Sequence, residues 1–400
     1  MTTPPHVLDA ADPLAAFRDR FVIDDDLVAY LDGNSLGRVP KATDERLATF
    51  VRQEWGNRLI RGWDDSWVDL PVTVGDELGA ALLGAAPGQT VIADSTSVNI
   101  YKLLHAAAGM RPDRDEIVID ATNFPTDRYL VESVAAARGM TVRWLEPDLV
   151  DNVTVDVVAG ALGERTALVV LSQVDYRSGT LVDLPAVTQL VQDAGALVLW
   201  DLCHSAGVMP IGLDAAQADF AVGCTYKYLN SGPGSPAFMY VAERHVTEVA
   251  QPISGWFSAA DLFAMSDTYV AAPDIRRMLS GTPAVAGIVA VQEGVRLIAE
   301  AGVDAIRAKS EALTAHTIGL LDAAGLVIVT PRDSALRGSH VTVRHPDARS
   351  ITDQMIARGV VPDFREPDLI RLGLSPLSTS FAEVEAGVRV LVELAAGTRR

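Results

Sequence analysis

Cysteine is almost absent. The 400 residues hold two, Cys203 and Cys224, which excludes a disulfide framework and fits a reducing cytoplasm. Long apolar runs are missing too. AGALVLW (194–200) is among the longest, far short of the ~20 residues a membrane span needs. The opening MTTPPHVLDAADPLAAF lacks a basic stretch followed by an apolar one, so no signal peptide is expected. Positive charge is in deficit: 33 Lys and Arg stand against 52 Asp and Glu, for a net charge of -19. Such a surface repels polyphosphate and anionic lipid, so neither nucleic acid nor membrane is expected as a partner. There is no internal repeat, no low-complexity tract, no glycine fingerprint for a dinucleotide and no G-x-x-x-x-G-K-[ST] loop.

What is present is apolar content of 49%, ample for a large core, in a chain long enough for two domains. Short apolar runs recur at 90–94, 116–120, 141–146, 166–174, 196–201 and 220–225. Several are apolar at consecutive positions, as in strands buried on both faces of a parallel sheet. Between them SVNIYKLLHAAAG and LPAVTQLVQDAG have helical spacing with a glycine near the end. Strand–helix–strand in series predicts an α/β domain with a mostly parallel sheet. SPAFMYV (235–241) follows after only a short turn-rich stretch, which allows it to run antiparallel. Beyond 285 come a long helical pattern, the runs LVIVT, SHVTVRH and LIRLGLS, and a last helix from about Phe381, which together read as a smaller α+β domain. The expected division is an N-terminal segment 1–55 packing on the other domains, a large domain 56–285 and a small one 286–400.

Open α/β sheets bind ligands beyond the carboxyl ends of their strands. The residues there are Thr96 and Ser97, Phe124 and Asp127, Ser172, Asp201 and His204, and Tyr226 and Lys227. Taken singly, each has an ordinary reading. The lysine is a surface residue, Asp201 and STS are helix caps, His204 is a satisfied polar group, Phe124 is core, and the cysteines are small buried side chains. Asp201 and His204 lack a third ligand, so no metal is expected. Taken together they suit a pyridoxal phosphate site. A lysine amine can condense with the cofactor aldehyde, and a carboxylate can hold a proton on the pyridine nitrogen. An aromatic face can stack on the ring, and hydroxyls at a helix N-terminus can bind the phosphate.

At this point the chain resembles the kynureninase family, pyridoxal-phosphate-dependent enzymes of fold type I with the class V aminotransferase-like architecture. The resemblance is carried by YLDGNSLG (30–37), STSVNIYKLL (95–104), NFPTDRY (123–129), LSQVDYRSG (171–179), WDLCHSAG (200–207), ADFAVGCTYKYLNSGPGS (218–235), GW (255–256), SGTP (280–283) and IRLGLSPL (370–377). It covers nearly the whole chain. It implies hydrolytic cleavage of L-kynurenine, and of its 3-hydroxy derivative, to anthranilate or 3-hydroxyanthranilate and L-alanine. The setting it implies is a cytoplasmic homodimer in tryptophan degradation. By the same resemblance Lys227 holds the cofactor, Asp201 pairs with its ring nitrogen beside His204, Phe124 stacks on the ring, and Asp127 lies at the ring edge. Thr96, Ser97, Tyr226, Trp256 and Thr282 line phosphate and ring, two of them from the partner subunit, and Ser172 lies near the ring oxygen. Lys227, Tyr226 and Asp201 are the implied catalytic groups. Arg371 is implied to bind the substrate carboxylate, and Trp63 is a candidate for the substrate ring. Thr96-Ser97 stands where many members have Leu-Thr, and Thr282 where some have asparagine. The alternatives are another class V enzyme, an aminotransferase or desulfurase, or a non-catalytic cofactor-binding protein.

Overall fold

The computed structural model describes residues 3–397 except 25 and 151. After a short β1 (Ala29–Tyr30), the apolar runs become β2 (Thr90–Ala93), β3 (Glu116–Asp120), β4 (Thr141–Leu145), β5 (Thr166–Ser172), β6 (Leu197–Asp201), β7 (Phe220–Gly223) and β8 (Ala237–Val241). The last seven make one sheet in the order β2-β8-β7-β6-β5-β3-β4. All run parallel except β8, which pairs antiparallel with both β2 and β7. The loop between β7 and β8 contains no helix and so makes no parallel crossover. β4 is an edge strand, and its alternating exposure of Thr141 and Arg143 reflects that position.

Alternate residues of each inner strand enter two different cores, as the two-residue period of a strand requires. Val118, Val169, Leu171, Val198 and Trp200 face one cluster. Ile117, Ile119, Leu168, Val170, Leu197 and Leu199 face the other. Continuous apolar runs were therefore needed at the centre of the sheet. The helices Thr96–Met110 and Pro125–Arg138 follow β2 and β3 directly, so their N-termini open on the same sheet edge as the strand ends.

The remaining strands are β9 (Val327–Ile328), β10 (His340–Arg344), β11 (Val360–Val361), β12 (Asp363–Arg365) and β13 (Leu369–Gly373). Four of them form an antiparallel sheet in the order β12-β13-β10-β9. Helices Val303–Ala323, Ala348–Ala357 and Phe381–Gly397 share its core. The helix Val285–Ala301 instead sends Ile288, Val291 and Val295 into a core of the large sheet.

The N-terminal segment is held to both parts. β1 pairs in parallel with β11, and the Asp9 carboxylate accepts from the amides of Phe381 and Ala382 at 2.7 and 3.0 Å. Phe21 and Leu14 enter a core of the large sheet. Between these anchors the stretch 30–37 passes beside the lysine loop. The Gly37 amide donates to the Tyr226 carbonyl at 2.8 Å. A Cβ at Gly37 would lie 2.3 Å from the Lys227 carbonyl oxygen, so this close approach needs glycine.

Candidate active site

One cavity lies beyond the carboxyl ends of the parallel strands. Its lining includes Thr96, Ser97, Phe124, Asp127, Ser172, Asp201, His204, Tyr226 and Lys227. Nine expected residues from five strand ends thus meet in one place. Thr126, Tyr176 and Cys203 also line it. The sequence reading assigned them no place there, although each falls within a quoted motif.

The Lys227 amine lies 2.9 Å from His204 Nε2. Burial first, and then the Lys227 charge, push the His204 pKa well below its ordinary value. The imidazole is therefore neutral, and Nε2 can accept from the lysine. Asp201 stands at the end of β6 and accepts the Cys203 amide at 2.8 Å, an Asx-type turn rather than the N-cap of a helix. Asp127, at the start of Pro125–Arg138, is 2% exposed. Burial, and after it the Asp201 charge, hold its pKa well above the carboxylate range. Burial also raises the Tyr226 pKa, helped by Cys224. The phenol therefore stays protonated.

Several polar atoms here are buried without partners: Asp127 Oδ2, His204 Nδ1 and Asn123 Nδ2. Such orphans are rare in a folded protein and concentrate where a ligand completes them. Phe124 is 39% exposed, with the Tyr176 ring edge-on at 5.5 Å. An uncovered aromatic face is a seat for a planar ring. Thr96 and Ser97 open a 15-residue helix whose cap is the Ser95 side chain, which suits an anionic group. The site is built for a flat ring with a basic nitrogen, an electrophilic carbon near Lys227 and an anionic tail.

Arg371, on β13, is 1% exposed. It donates to the Tyr176 carbonyl at 2.6 Å, to Ser35 Oγ at 2.9 Å and to Asp363. With the Asn34 amide oxygen facing it, Nε donates there at 2.8 Å. Asp363 also pairs with Arg365 at 2.8 Å. The role of Asn34, Ser35 and Asp363 in holding this guanidinium was not read from the sequence. Ser35 lies within YLDGNSLG, and its distance from Arg371 along the chain hid the contact.

Four expected site residues are not among the lining of this cavity: Arg371, held as just described, and Trp63, Trp256 and Thr282. Trp63 packs edge-on against Trp67 and Trp256, with ring centroids 5.4 and 6.1 Å apart. Trp256 borders a separate groove with Leu262, Met265 and Tyr269. Thr282 is exposed.

Comparison with known proteins adds a second line. The family described as Kynureninase C-terminal domain matches residues 306–391. The kynureninase of Pseudomonas fluorescens is 42% identical over 398 residues, spanning 97% of this chain and 94% of that protein. That of Burkholderia pseudomallei strain 1106a is 43% identical over 396 residues, with the same shares. Among solved structures, the apo cysteine desulfurase of Thermococcus onnurineus NA1 superposes with a TM-score of 0.85 at 18% identity, over 96% of this chain and 98% of that one. A C-DES variant with glycine covalently linked to its PLP cofactor gives 0.80 at 18%, over 91% and 96%. At that identity the last two speak for the fold alone.

Proposed function

We infer the activity from family membership: the chain belongs to the kynureninase family, and its reaction is the hydrolysis of L-kynurenine to anthranilate and L-alanine, with pyridoxal phosphate as cofactor. The observation that carries this reading is the near-complete span of that identity. The convergence of the implied residues on one cavity supports it. The desulfurase reading is not favoured. It calls for a nucleophilic cysteine on a late loop, whereas no cysteine follows Cys224.

The residues fit the cofactor. Lys227 would hold its aldehyde carbon, Asp201 its ring nitrogen, Phe124 its face, and Thr96 and Ser97 its phosphate, with Asp127, Ser172 and His204 around the ring. When bound, the cofactor supplies an electron sink for charge developing at the substrate α-carbon. Lys227, hydrogen-bonded to neutral His204, would take the α-proton of the substrate. Tyr226, kept protonated by burial, would give a proton on the cleavage side. Arg371 binds the α-carboxylate through its planar fork. Water completes the hydrolysis at the γ-carbonyl.

We further propose a homodimer in which Trp256 and Thr282 serve the partner's cavity. Their position outside their own cavity supports this, as does the exposure of Phe263, Met265 and Val270 nearby. Mixed dimers of a Lys227 variant and a Thr282 variant test it, since shared sites restore one working centre. The working division is 1–55, 56–285 and 286–400, with the helix Val285–Ala301 packed on the large sheet. A cytoplasmic place in tryptophan degradation or NAD synthesis, and use of 3-hydroxykynurenine, belong to the same proposal. The deciding experiment is product analysis. Purified protein loaded with pyridoxal phosphate is given L-kynurenine, and equimolar anthranilate and alanine are expected. Absence of both, in protein that binds cofactor, refutes the reading.

A further inference from the structure

We propose that Cys203 and Cys224 form a reversible dithiol–disulfide pair at the floor of the cavity, an oxidation site that peroxides reach through the cavity and that bound cofactor shields. The shielding rests on the cofactor reading above; the pair itself does not.

The two cysteines of the chain lie 21 positions apart, and the sheet brings them together. β6 and β7 are parallel neighbours with Asp201 opposite Val222, and each cysteine lies two positions beyond that pair. The strands have not diverged there, because the Leu202 amide still donates to the Val222 carbonyl at 2.8 Å. Adjacent strands are ~4.8 Å apart, inside the ~4.4–6.8 Å between Cα atoms that a disulfide spans. Each side chain already reaches the backbone of the other cysteine: the Cys224 amide donates to Cys203 Sγ at 3.2 Å, and Cys224 Sγ lies 4.0 Å from the Cys203 carbonyl oxygen. Access is unequal. Cys203 lines the cavity at 9% exposure, while Cys224 sits behind it at 2%.

The chemistry follows from this order. Cys203 sulfur attacks the peroxide, the O–O bond breaks, and a sulfenic acid and one water form. Cys224 sulfur then attacks Cys203 sulfur, the S–O bond breaks, and a second water leaves as the S–S bond forms. Two thiols and one hydrogen peroxide thus give one disulfide and two waters, and a dithiol reductant reverses the step. The adjoining Cys224 side chain, and after it burial, push the Cys203 pKa well above its ordinary value, so the reaction is slow and needs excess oxidant. The bridge would clasp the two arms of the site. Cys203 shares its turn with Asp201 and His204, and Cys224 leads into Tyr226 and Lys227.

The test compares cofactor-free and cofactor-loaded protein in excess hydrogen peroxide, quenched with an alkylating agent and read by intact mass. In cofactor-free protein both thiols should disappear together, with the loss of two hydrogens, and dithiothreitol should restore them. With pyridoxal phosphate at 100 times its Kd, about 1% of sites are open, so thiol loss should slow about 100-fold. Cys203→Ser and Cys224→Ala should each give only mono-oxidised products, and either variant suffices if the other fails to fold. Retention of both thiols, or oxidation to sulfinic acid without a bridge, overturns the pair. Equal rates with and without bound cofactor overturn the route through the cavity. Cofactor binding is read separately from the visible absorbance that appears on loading. Its failure would refute the cofactor reading while leaving the disulfide of the cofactor-free protein as found.

Discussion

Replacing Arg371 by lysine isolates what the planar fork contributes. The guanidinium is buried, and four of its five N–H groups are engaged, by the Tyr176 carbonyl, Ser35, Asp363 and Asn34. A substrate carboxylate must share or displace these partners, and the fork allows it two parallel bonds. Lysine keeps the charge but offers that carboxylate one bond, and it leaves at least one present acceptor unmatched. A hydrogen bond to a charged group is worth about 1.5–3 kcal/mol, which at 1.4 kcal/mol per decade is about 10- to 150-fold in KM. Steady-state kinetics on Arg371→Lys should show that rise with a smaller change in kcat. A substrate-like amine lacking the α-carboxylate should inhibit the wild type and the variant with the same constant, because it never uses the fork. A KM within about threefold of wild type, in a variant that still folds, refutes the assignment. So does an equal loss of affinity for the carboxylate-free amine.

Lys227→Ala should abolish turnover and the visible absorbance of cofactor-loaded protein; a borohydride-reducible imine persisting in this variant would place the attachment elsewhere. Tyr226→Phe should keep cofactor binding and slow kcat by about 10²–10⁴-fold if the hydroxyl is the acid, whereas lost cofactor affinity with normal turnover of the bound form would limit Tyr226 to phosphate binding. Asp120, raised to about 6 mainly by burial, makes the fold favour its neutral form, so its contribution is full near pH 4 and lost as pH rises through 6; Asp120→Asn, which keeps an acceptor for the Thr122 amide, should raise Tm at pH 7 by the equivalent of up to ~3 kcal/mol and not at pH 4, and a pH-independent difference would contradict this. Thr282 offers fewer hydrogen bonds than asparagine, so kcat/KM should favour plain kynurenine over the 3-hydroxy substrate by at least ~5-fold, and Thr282→Asn should narrow that ratio.

The sheet was legible because each inner strand is buried on both faces. Continuous apolar runs such as ALVLW have no other economical placement, and their ends located the cavity. The antiparallel turn of β8 followed from a connection too short for a crossover. What could not be read were contacts between segments far apart in the chain. Ser35 meets Arg371 across 336 positions, and no local pattern announces it. Lys102, within STSVNIYKLL, is fully buried and bonded to Asp94 and the Met278 carbonyl at 2.6 and 2.7 Å, the latter across 176 positions. The helix Val285–Ala301 has an apolar face whose partner periodicity alone cannot name, and it packs on the large sheet rather than the small one.

The same reasoning separates fold from chemistry. A chain 18% identical to a desulfurase keeps its architecture over 96% of its length, because the inner strands ask only for apolar residues of suitable size. Chemistry resides where the strands stop, and there one residue decides much. At the end of β7 the chain reads Cys224-Thr225-Tyr226-Lys227. Tyr226 directly precedes Lys227, and its side chain bears on which proton can be moved. Burial holds the phenol protonated, so it can donate to an oxygen or carbon leaving the substrate, while the neutral imidazole of His204 serves Lys227 from the other strand. Exchanging Tyr226 for histidine would replace a phenol that burial keeps protonated by a second titratable imidazole beside the half-buried Lys227 and two carboxylates, and would make the proton supply depend on pH near neutrality.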